Sequence, residues 1–592
     1  MNPTEYYHKV VDCQHACPAH TAVPAYIRLI AEGKFQEAYT LNRDSNLFPG
    51  ILGRVCDRPC EPACRRGRVD EKPVAICALK RAAADYKGDM PAPAPVAKTP
   101  GKRVALIGAG PTSLAVAHDL TQYGYSIELF EREAKPGGAM RVQVPAFRLP
   151  ESVLEEEIDF VLQQGVTCHF ETPIEKLSEL QAQGFDAIFV GTGAPLAKDL
   201  SLPGRAEASA HIHVGLEFLA NVYFEHQTDV AKRVVVIGGG NTAMDCSRTA
   251  LRLGAETVSV IAPETYAQML ASPWEKEEAK EELVAFHNGL LPVAFLVEGT
   301  QLKGVRFQPL ETCYDANGKW GPVFAKTPLV DIPCDTVILA IGQRTAFPFV
   351  DAASGVEFST TQPDFLQVDP VSLQTTNPSI FVGGDALGPR NIIYGVASGH
   401  QAALAIHLYL HGEDPTAPPM DTHTVTSQRV TLNQWSYTNR YTPRVRTPVP
   451  MLHGPARVQQ LRREVEQGYT PEEAKKEAVR CLNCDVQTVF HADLCIECDA
   501  CIDICPTQCL ILTLDAPEET VRTKFPFPAL NLTQSIFTEA VPQTGRLMAK
   551  DEDVCVHCGL CAERCPTSAW DMQLFELIPG RVQKGGSSGC RK

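Results

Sequence analysis

No apolar run approaches the ~20 residues needed to span a bilayer. The start, MNPTEYYHKVVDCQ, also lacks the charged-then-apolar pattern of a signal peptide. A cytoplasmic protein is expected. Positive charge is in short supply as well: 54 Lys and Arg face 70 Asp and Glu, for a formal net charge of −16, and no long basic run offsets it. A nucleic-acid partner is therefore excluded from the expectation, because a phosphate backbone is bound by clustered Lys and Arg. The middle of the chain has no closely spaced cysteine pair; Cys168, Cys246, Cys313 and Cys334 stand alone and read as core or strand residues. No convincing Ser-His-Asp or paired-carboxylate constellation appears either.

Cysteine is abundant, however, with 22 in 592 residues, six before residue 80 and twelve after residue 480. Cytoplasmic thiols stay reduced, so metal ligation is the default reading of so many. The length suits three to five domains. Residues 1–87 read as mostly helical, with amphipathic segments such as VPAYIRLIAEGKFQEAYTL, and GDMPAPAPVAKTPGK (88–102) reads as a semi-rigid linker. From 103 to 410 β-branched runs alternate with helical patterns, as in βαβ architecture. A Pro- and Thr-rich stretch, about 414–456, leads to the cysteine-rich end, and Cys590 in QKGGSSGCRK is given no role.

RVALIGAGPTSLAVAHDLTQYGYSIELFERE places Gly108-x-Gly110-x-x-Ser113 between a strand and a helix. The first glycine permits the tight turn, the second lets a pyrophosphate approach the backbone, and the helix N-terminus supplies N–H groups and positive potential. Ser113 replaces the third glycine and is small enough for close helix–strand packing. Glu131 ends the second strand, where a carboxylate can accept hydrogen bonds from an adenosine ribose. RVVVIGGGNTAMDCSRTALRLGAETVSVIAPE repeats the pattern with Gly238, Gly240 and Ala243. One such fingerprint is a weak signal, but two in strand–turn–helix context predict two bound dinucleotides.

FDAIFVGTGA, CDTVILAIGQ and NPSIFVGGDALGPRNIIYGVASGHQAA follow, together with PAFRLP and GGGNTAMD. On these motifs the chain resembles the two-dinucleotide flavoproteins, and specifically the glutamate synthase small-subunit family, over most of residues 1–410. The resemblance implies FAD in the first fold (100–200 and 340–413), with Gly138, Gly384 and Asp385 beside it. It implies a nicotinamide nucleotide in the second fold (201–339), with Asn241 in the turn. The family's NADP-binding members carry two arginines after the second strand; Pro263 and Glu264 stand there in this chain. A carboxylate repels a 2′-phosphate and suits a ribose diol, so NAD(H) is expected. The alternative is a basic residue from elsewhere, such as Arg233 or Arg252. Many relatives of this kind pass electrons to a disulfide beside the flavin, a route for which no cysteine pair is present.

CIECDACIDICP and CVHCGLCAERCP are two copies of C-x2-C-x2-C-x3-C-P, the strongest signal in the chain. In this pattern the fourth cysteine reaches across to the other cluster. Cys495, Cys498, Cys501 and Cys565 are expected on one [4Fe–4S], and Cys555, Cys558, Cys561 and Cys505 on a second; zinc is the alternative, though its sites seldom show this doubling. Residues 489–580 thus resemble a bacterial-type ferredoxin domain. The insert 506–554, with FPFPALNLTQSIFTEAVPQTG, is either a surface elaboration or a docking element for a partner. His491 and His557 are read as packing or solvated residues.

Near the start, GRVCDRPCEPACRRGRVDEKPVAICALKR holds Cys56, Cys60 and Cys64 at i, i+4, i+8, then Cys77. It resembles the cluster domain of glutamate synthase small subunits and of dihydropyrimidine dehydrogenase. The resemblance implies a [4Fe–4S] on these four within a helical domain (1–90), with Cys77 open to replacement because some relatives use a non-cysteine fourth ligand. Arg54, Arg58, Arg65 and Arg66 nearby would raise its potential. Two pairs remain. Thr470, Pro471 and Glu473 predict a capped helix, 471–480, within a linker, 414–488, that delivers Cys481 and Cys484; DCQHACP offers Cys13 and Cys17. In the resembling small subunits R-C-x2-C and C-x3-C-P lie in one run. A fourth [4Fe–4S] on Cys13, Cys17, Cys481 and Cys484 is therefore expected. Pairs of buried thiols, or halves completed by different subunits, are the alternatives.

The whole reads as a multidomain chain: a helical iron–sulfur domain, two Rossmann-like α/β folds and an α+β ferredoxin-like domain. Its expected role is an electron-transfer flavoprotein subunit linking NAD(H), FAD and four [4Fe–4S] clusters, with no side-chain acid or base needed for hydride exchange. The expected partners are ferredoxin or a catalytic subunit such as a 2-oxoacid:acceptor oxidoreductase, a formate dehydrogenase or an aromatic-ring reductase. Alternatives are a glutamate synthase small subunit, a bifurcating transhydrogenase subunit, or a non-enzymatic wiring subunit.

Overall fold

The computed structural model describes residues 11–94, 96, 98, 101–416, 424–430, 443–526 and 535–578. Cys590 and the apolar centre of the 506–554 insert lie outside them. The chain divides into two compact units. One comprises 1–91, 417–449 and 468–592; the other comprises 92–416 and 450–467.

After a short helical turn at Asp12–Ala16, the first unit continues with helices α1 (Val23–Ala31), α2 (Phe35–Asn46), α3 (Pro49–Val55) and α4 (Ile76–Asp85). Tyr26, Ile27 and Ile30 of α1 meet Leu79, Ala82 and Ala83 of α4 in one core, apolar residues at helical spacing.

The second unit holds two parallel sheets. Strands β1 (Arg103–Ile107), β2 (Ser126–Phe130), β3 (Thr167–His169) and β4 (Ala187–Val190) belong to the first, with helix α5 (Pro111–Gln122) after β1. β5 (Ile212–Val214), β6 (Arg233–Ile237), β7 (Thr257–Ala262) and β8 (Ala285–Asn288) belong to the second, with α6 (Asn241–Arg252) after β6. An antiparallel insertion follows, β9 (Leu290–Glu298), β10 (Gln301–Tyr314), β11 (Trp320–Phe324) and β12 (Val330–Pro333). The chain then returns through β13 (Thr336–Leu339) to the second sheet and β14 (Ile380–Val382) to the first, before α7 (Ile392–Leu410). The orders are β14-β4-β1-β2-β3 and β5-β13-β6-β7-β8. In both, the central strands are nearly continuous apolar runs, as sheets covered on both faces require. The two motifs PAFRLP and GGGNTAMD meet: Arg148 binds both oxygens of Asp245, at 2.7 and 2.8 Å.

The remaining elements complete the first unit: β15 (Thr424–Val430), α8 (Pro471–Ala478), β16 (Val486–Phe490), β17 (Leu510–Thr513), β18 (Phe537–Ala540), β19 (Leu547–Lys550) and β20 (Trp570–Ile578). They form two antiparallel sheets, β15-β20-β16 and β17-β19-β18. Helix α8 starts with a full capping box: Thr470 accepts from the Glu473 N–H, and Glu473 accepts from Thr470. The stretch read as a linker is no spacer at this point. Ala474, Ala478 and Leu482 enter the core of the N-terminal helices, and the carboxylate of Glu477 takes the N–H of Ala75 at 2.9 Å and of Thr447 at 2.7 Å. Arg480, 1% exposed, donates to Lys72 O and Pro73 O and pairs with Asp70. Residues 450–467 instead belong to the nucleotide-fold unit, where Arg457 pairs with Glu281 and Glu282.

Candidate functional site

At the first fingerprint Gly108 has φ +90°, and a Cβ there would lie 2.8 Å from Gly191 O, so only glycine fits. Gly110 precedes α5, and a Cβ on Gly138 (φ +50°) would meet the Gly110 Cα at 3.0 Å. Ser113 is fully buried and packed against Gly191, and its hydroxyl has no partner among the described residues. The Glu131 carboxylate accepts the N–H of Ala109 at 2.7 Å and of Glu133 at 3.0 Å. It thus braces the glycine turn. Gly384 (φ +65°) leaves no room for a side chain against Thr112. Burial raises the Asp385 carboxyl to about 6, opposed only by the Arg390 N–H on Oδ1 at 2.9 Å. A half-buried carboxylate with capacity to accept, opposite a glycine turn at a helix N-terminus, fits a dinucleotide with free hydroxyls.

The second fingerprint repeats this geometry. A Cβ on Gly238 would fall 2.2 Å from Ala340 O, and Gly240 leads into α6. Ala243 is fully buried, and the Asn241 Oδ1 accepts the Ser272 N–H at 2.8 Å. Glu264, just beyond β7, is buried. A Cβ on Gly239 would stand 3.0 Å from its Oε2, which has no partner among the described residues. Its Oε1 accepts from Tyr314 at 3.3 Å. This is an orphaned acceptor beside the nucleotide turn, the arrangement that suits a ribose diol. The alternative basic residues are engaged elsewhere: Arg233 with Asp335, and Arg252 with Glu282 while it lies over Phe147.

Three of the four isolated cysteines, Cys246, Cys313 and Cys334, are buried, and Cys168 is half-buried. Cys246 sits in the second nucleotide fold and Cys334 under its sheet; Cys168 and Cys313 are also free thiols.

In the ferredoxin-like region the sulfurs gather as the doubled motif implies. Cys495, Cys498, Cys501 and Cys565 line one cavity with Phe490, Leu512 and Trp570. Cys505, Cys558 and Cys561 are each in electrostatic contact with Cys555. A common turn recurs. Glu497 (φ +56°) donates its N–H to Cys495 Sγ, and His557 (φ +55°) to Cys555 Sγ, both at 3.4 Å. The N–H of Asn483 (φ +50°) meets Cys481 Sγ at 3.4 Å, and that of Arg58 (φ +58°) meets Cys56 Sγ at 3.4 Å. Left-handed backbone at four non-glycine residues is strain of the kind found where function requires it. An N–H aimed at sulfur stabilises thiolate ligands.

The structure redistributes two of the expected N-terminal ligands. Cys56 and Cys60 both hydrogen-bond to Cys77, and Cys17 shares their neighbourhood, since Tyr26 and Lys80 each feel Cys60, Cys77 and Cys17. Burial raises the Cys13 thiol well above its ordinary value, and Cys64, Cys484 and Cys481 push it further. Cys64 therefore stands with Cys13, Cys481 and Cys484 instead of with Cys56 and Cys60. The reason is local: α3 ends at Val55, and residues 56–66 are turns and irregular chain with no helix, so the i, i+4, i+8 spacing does not keep the three cysteines on one face. Four thiols in each group, most of them buried and all within electrostatic reach of others in their set, fit a metal cluster that takes them as thiolates. Arg65, next to Cys64 and 1% exposed, pairs with Asp12 and donates to the carbonyl of Cys555 at 2.8 Å. Sequence reading missed this residue's role as a strut. His557, expected to pack or to meet solvent, is buried, with its Nε2 2.9 Å from a Glu552 carboxylate oxygen.

Three family models match the chain: pyridine nucleotide-disulphide oxidoreductase over 102–403, dihydropyrimidine dehydrogenase domain II with a 4Fe-4S cluster over 7–91, and a 4Fe-4S dicluster domain over 494–569. The chain is 34% identical over 511 residues to the NADP(+)-dependent formate dehydrogenase subunit beta of Moorella thermoacetica, covering 80% of this chain and 70% of that one. It is 33% identical over 518 residues to the NADPH-Fe(3+) oxidoreductase subunit beta of Geobacter sulfurreducens, covering 81% and 76%. It is 32% identical over 412 residues to the NAD-dependent dihydropyrimidine dehydrogenase subunit PreT of Escherichia coli K12, covering 68% and 91%. The resemblance to glutamate synthase small subunits thus resolves into a broader kinship. The chain belongs to the pyridine nucleotide-disulphide oxidoreductase family, as an iron–sulfur flavoprotein that carries [4Fe–4S] domains on both sides of its nucleotide folds and works as an electron-transfer subunit.

Proposed function

We propose that the chain exchanges electrons between NAD(H) and a partner subunit, using FAD in the first nucleotide fold and four [4Fe–4S] clusters. The observation that carries this reading is the shared turn, with an N–H on sulfur, at Cys56, Cys481, Cys495 and Cys555. The isolated RCLNC pair has the same backbone as the two ferredoxin motifs. The proposed ligand sets are Cys17, Cys56, Cys60 and Cys77; Cys13, Cys64, Cys481 and Cys484; Cys505, Cys555, Cys558 and Cys561; and Cys495, Cys498, Cys501 and Cys565.

FAD, when bound, converts between two-electron exchange with nicotinamide and one-electron exchange with iron–sulfur clusters. The chain's own residues do the holding. Gly108, Gly110 and Asp385 accommodate one dinucleotide, and Gly238, Gly240 and Glu264 the other. Within the first unit the sulfur sets adjoin in a row. Tyr26, fully buried, lies within electrostatic reach of Cys60 and Cys77 of one set and Cys13 of the next. Arg65 feels both Cys484 and Cys555, joining that set to the ferredoxin-like pair. Cys498 is exposed at the far end, which suits delivery to a partner.

Glu264 supports NAD(H) over NADP(H). The partner is proposed to be a catalytic subunit such as a formate dehydrogenase or a 2-oxoacid:acceptor oxidoreductase. Anaerobic titration of the loaded chain with NADH tests the reading. Bleaching of the flavin band together with the iron–sulfur absorbance is expected. A flavin band untouched by NADH leaves only a wiring role and overturns the proposal.

A further inference from the structure

Lys80 lies on α4 three residues after Cys77, on the same helix face, and is 3% exposed. It forms no ion pair with a carboxylate among the described residues, in contrast to its neighbour Arg81, which pairs with Asp85 at 3.0 Å. A lysine near a surface keeps its ammonium in water; this one does not reach it. A lone buried ammonium is costly unless an anion meets it, and otherwise gives up its proton. The charges that reach its ammonium are instead the sulfurs of Cys77, Cys56, Cys60 and Cys17. The helix thus brings a cation to the point where four sulfurs converge. Protonated thiols would leave that charge without a counterpart, whereas four thiolates around a cubane carry net negative charge in both redox states.

We propose that Lys80 is the counter-ion of the [4Fe–4S] cluster held by Cys17, Cys56, Cys60 and Cys77, and that it sets the reduction potential of that cluster. The inference rests on the ligand sets proposed above. Reduction adds one electron to the cluster and leaves Lys80 protonated, so the fixed charge favours the reduced state and holds the potential up. Lys80 is a positioning residue: it holds charge near the cluster and takes no part in ligation, since an ammonium has no lone pair to offer. It also explains how this pocket, in the core of the helical unit, tolerates an added electron without an exposed face.

The test compares the full chain, loaded with iron and sulfide, as wild type, Lys80→Met and Lys80→Arg, in EPR-monitored redox titrations. Lys80→Met keeps the length and removes the charge; Lys80→Arg keeps the charge. In Lys80→Met one cluster is expected to show a reduced-to-oxidised ratio about tenfold lower at the wild-type midpoint, the order for losing one unit charge a few ångströms away. In Lys80→Arg the ratio should stay within about threefold of wild type, since the charge is kept. Loss of about one cubane from Lys80→Met but not from Lys80→Arg also supports the counter-ion role. An unchanged potential with full iron in Lys80→Met overturns it, and so does equal loss of iron from both variants, which marks Lys80 as a packing residue. Failure of the underlying ligand sets is separately visible, because Cys17→Ser would then retain all of its iron while Cys56→Ser loses its cluster.

Discussion

The backbone N–H of Asn483 points at the sulfur of Cys481, 3.4 Å away, from a left-handed turn with φ +50°. Glu497 and His557 stand in the same relation to Cys495 and Cys555. A residue in that position needs two properties: a free N–H and tolerance of positive φ. Asn483→Gly supplies both and should retain the full iron content. Asn483→Pro supplies neither and should lose about one cubane per chain, read by iron analysis. Equal iron in the two variants would show that the turn is incidental.

Arg65 links the N-terminal helices to the ferredoxin-like region, donating to a carbonyl 490 residues away. Its guanidinium is 1% exposed, and its removal leaves the Asp12 carboxylate and two backbone carbonyls unsatisfied. Arg65→Met should destabilise the first unit by about 3–5 kcal/mol, the range for breaking a buried pair, measured by denaturant unfolding. A loss below about 1 kcal/mol would match a surface pair instead.

Asp385 gives a pH signature. Its folded carboxyl titrates near 6, above the ordinary value of 3.8, because burial disfavours the charge. A raised acid pKa penalises the folded state wherever the unfolded carboxyl is ionised and the folded one must follow. The penalty is complete above pH 6 and vanishes below about pH 4. Asp385→Asn should therefore stabilise the FAD-free chain at pH 8 by up to about 3 kcal/mol and leave it unchanged at pH 4. It should also weaken FAD retention, because a carboxylate accepts hydroxyl bonds more strongly than an amide. Stability curves of the two proteins that run parallel across pH 4–8 would remove Asp385 from this role.

Glu264 places an unpartnered carboxylate oxygen beside the second glycine turn. The wild type should use NADH with a higher kcat/KM than NADPH in a dye-coupled assay. Glu264→Arg should move the ratio toward NADPH by about 10- to 100-fold, the range for exchanging a repulsive contact for a charge-assisted one. Preference for NADPH in the wild type would sink the assignment.

What could be read from the sequence was whatever local spacing decides. The doubled four-cysteine motif brings together Cys495 with Cys565 and Cys555 with Cys505, because each fourth cysteine follows a fixed turn. The capping box at Thr470 and Glu473 is likewise a three-residue rule. The proposed exchange of Cys17 and Cys64 between sets was not legible, since it depends on which thiols folding brings near Cys13 and near Lys80, a tertiary matter. Lys80 was a basic residue one helical turn from a cysteine, a signal that becomes meaningful only once burial is known. Glu131 was assigned to a ribose by position; its hydrogen bonds to Ala109 and Glu133 appear only when the turn is folded. The docking element sought in the 506–554 insert falls partly outside the described residues.

Iron and acid-labile sulfide per chain test the central claim most directly. Four cubanes predict about sixteen of each, and Cys481→Ser and Cys64→Ser should each lose about four while Cys17→Ser loses a different four by EPR. A wild-type content near eight, or full retention of iron by Cys481→Ser, would contradict the account.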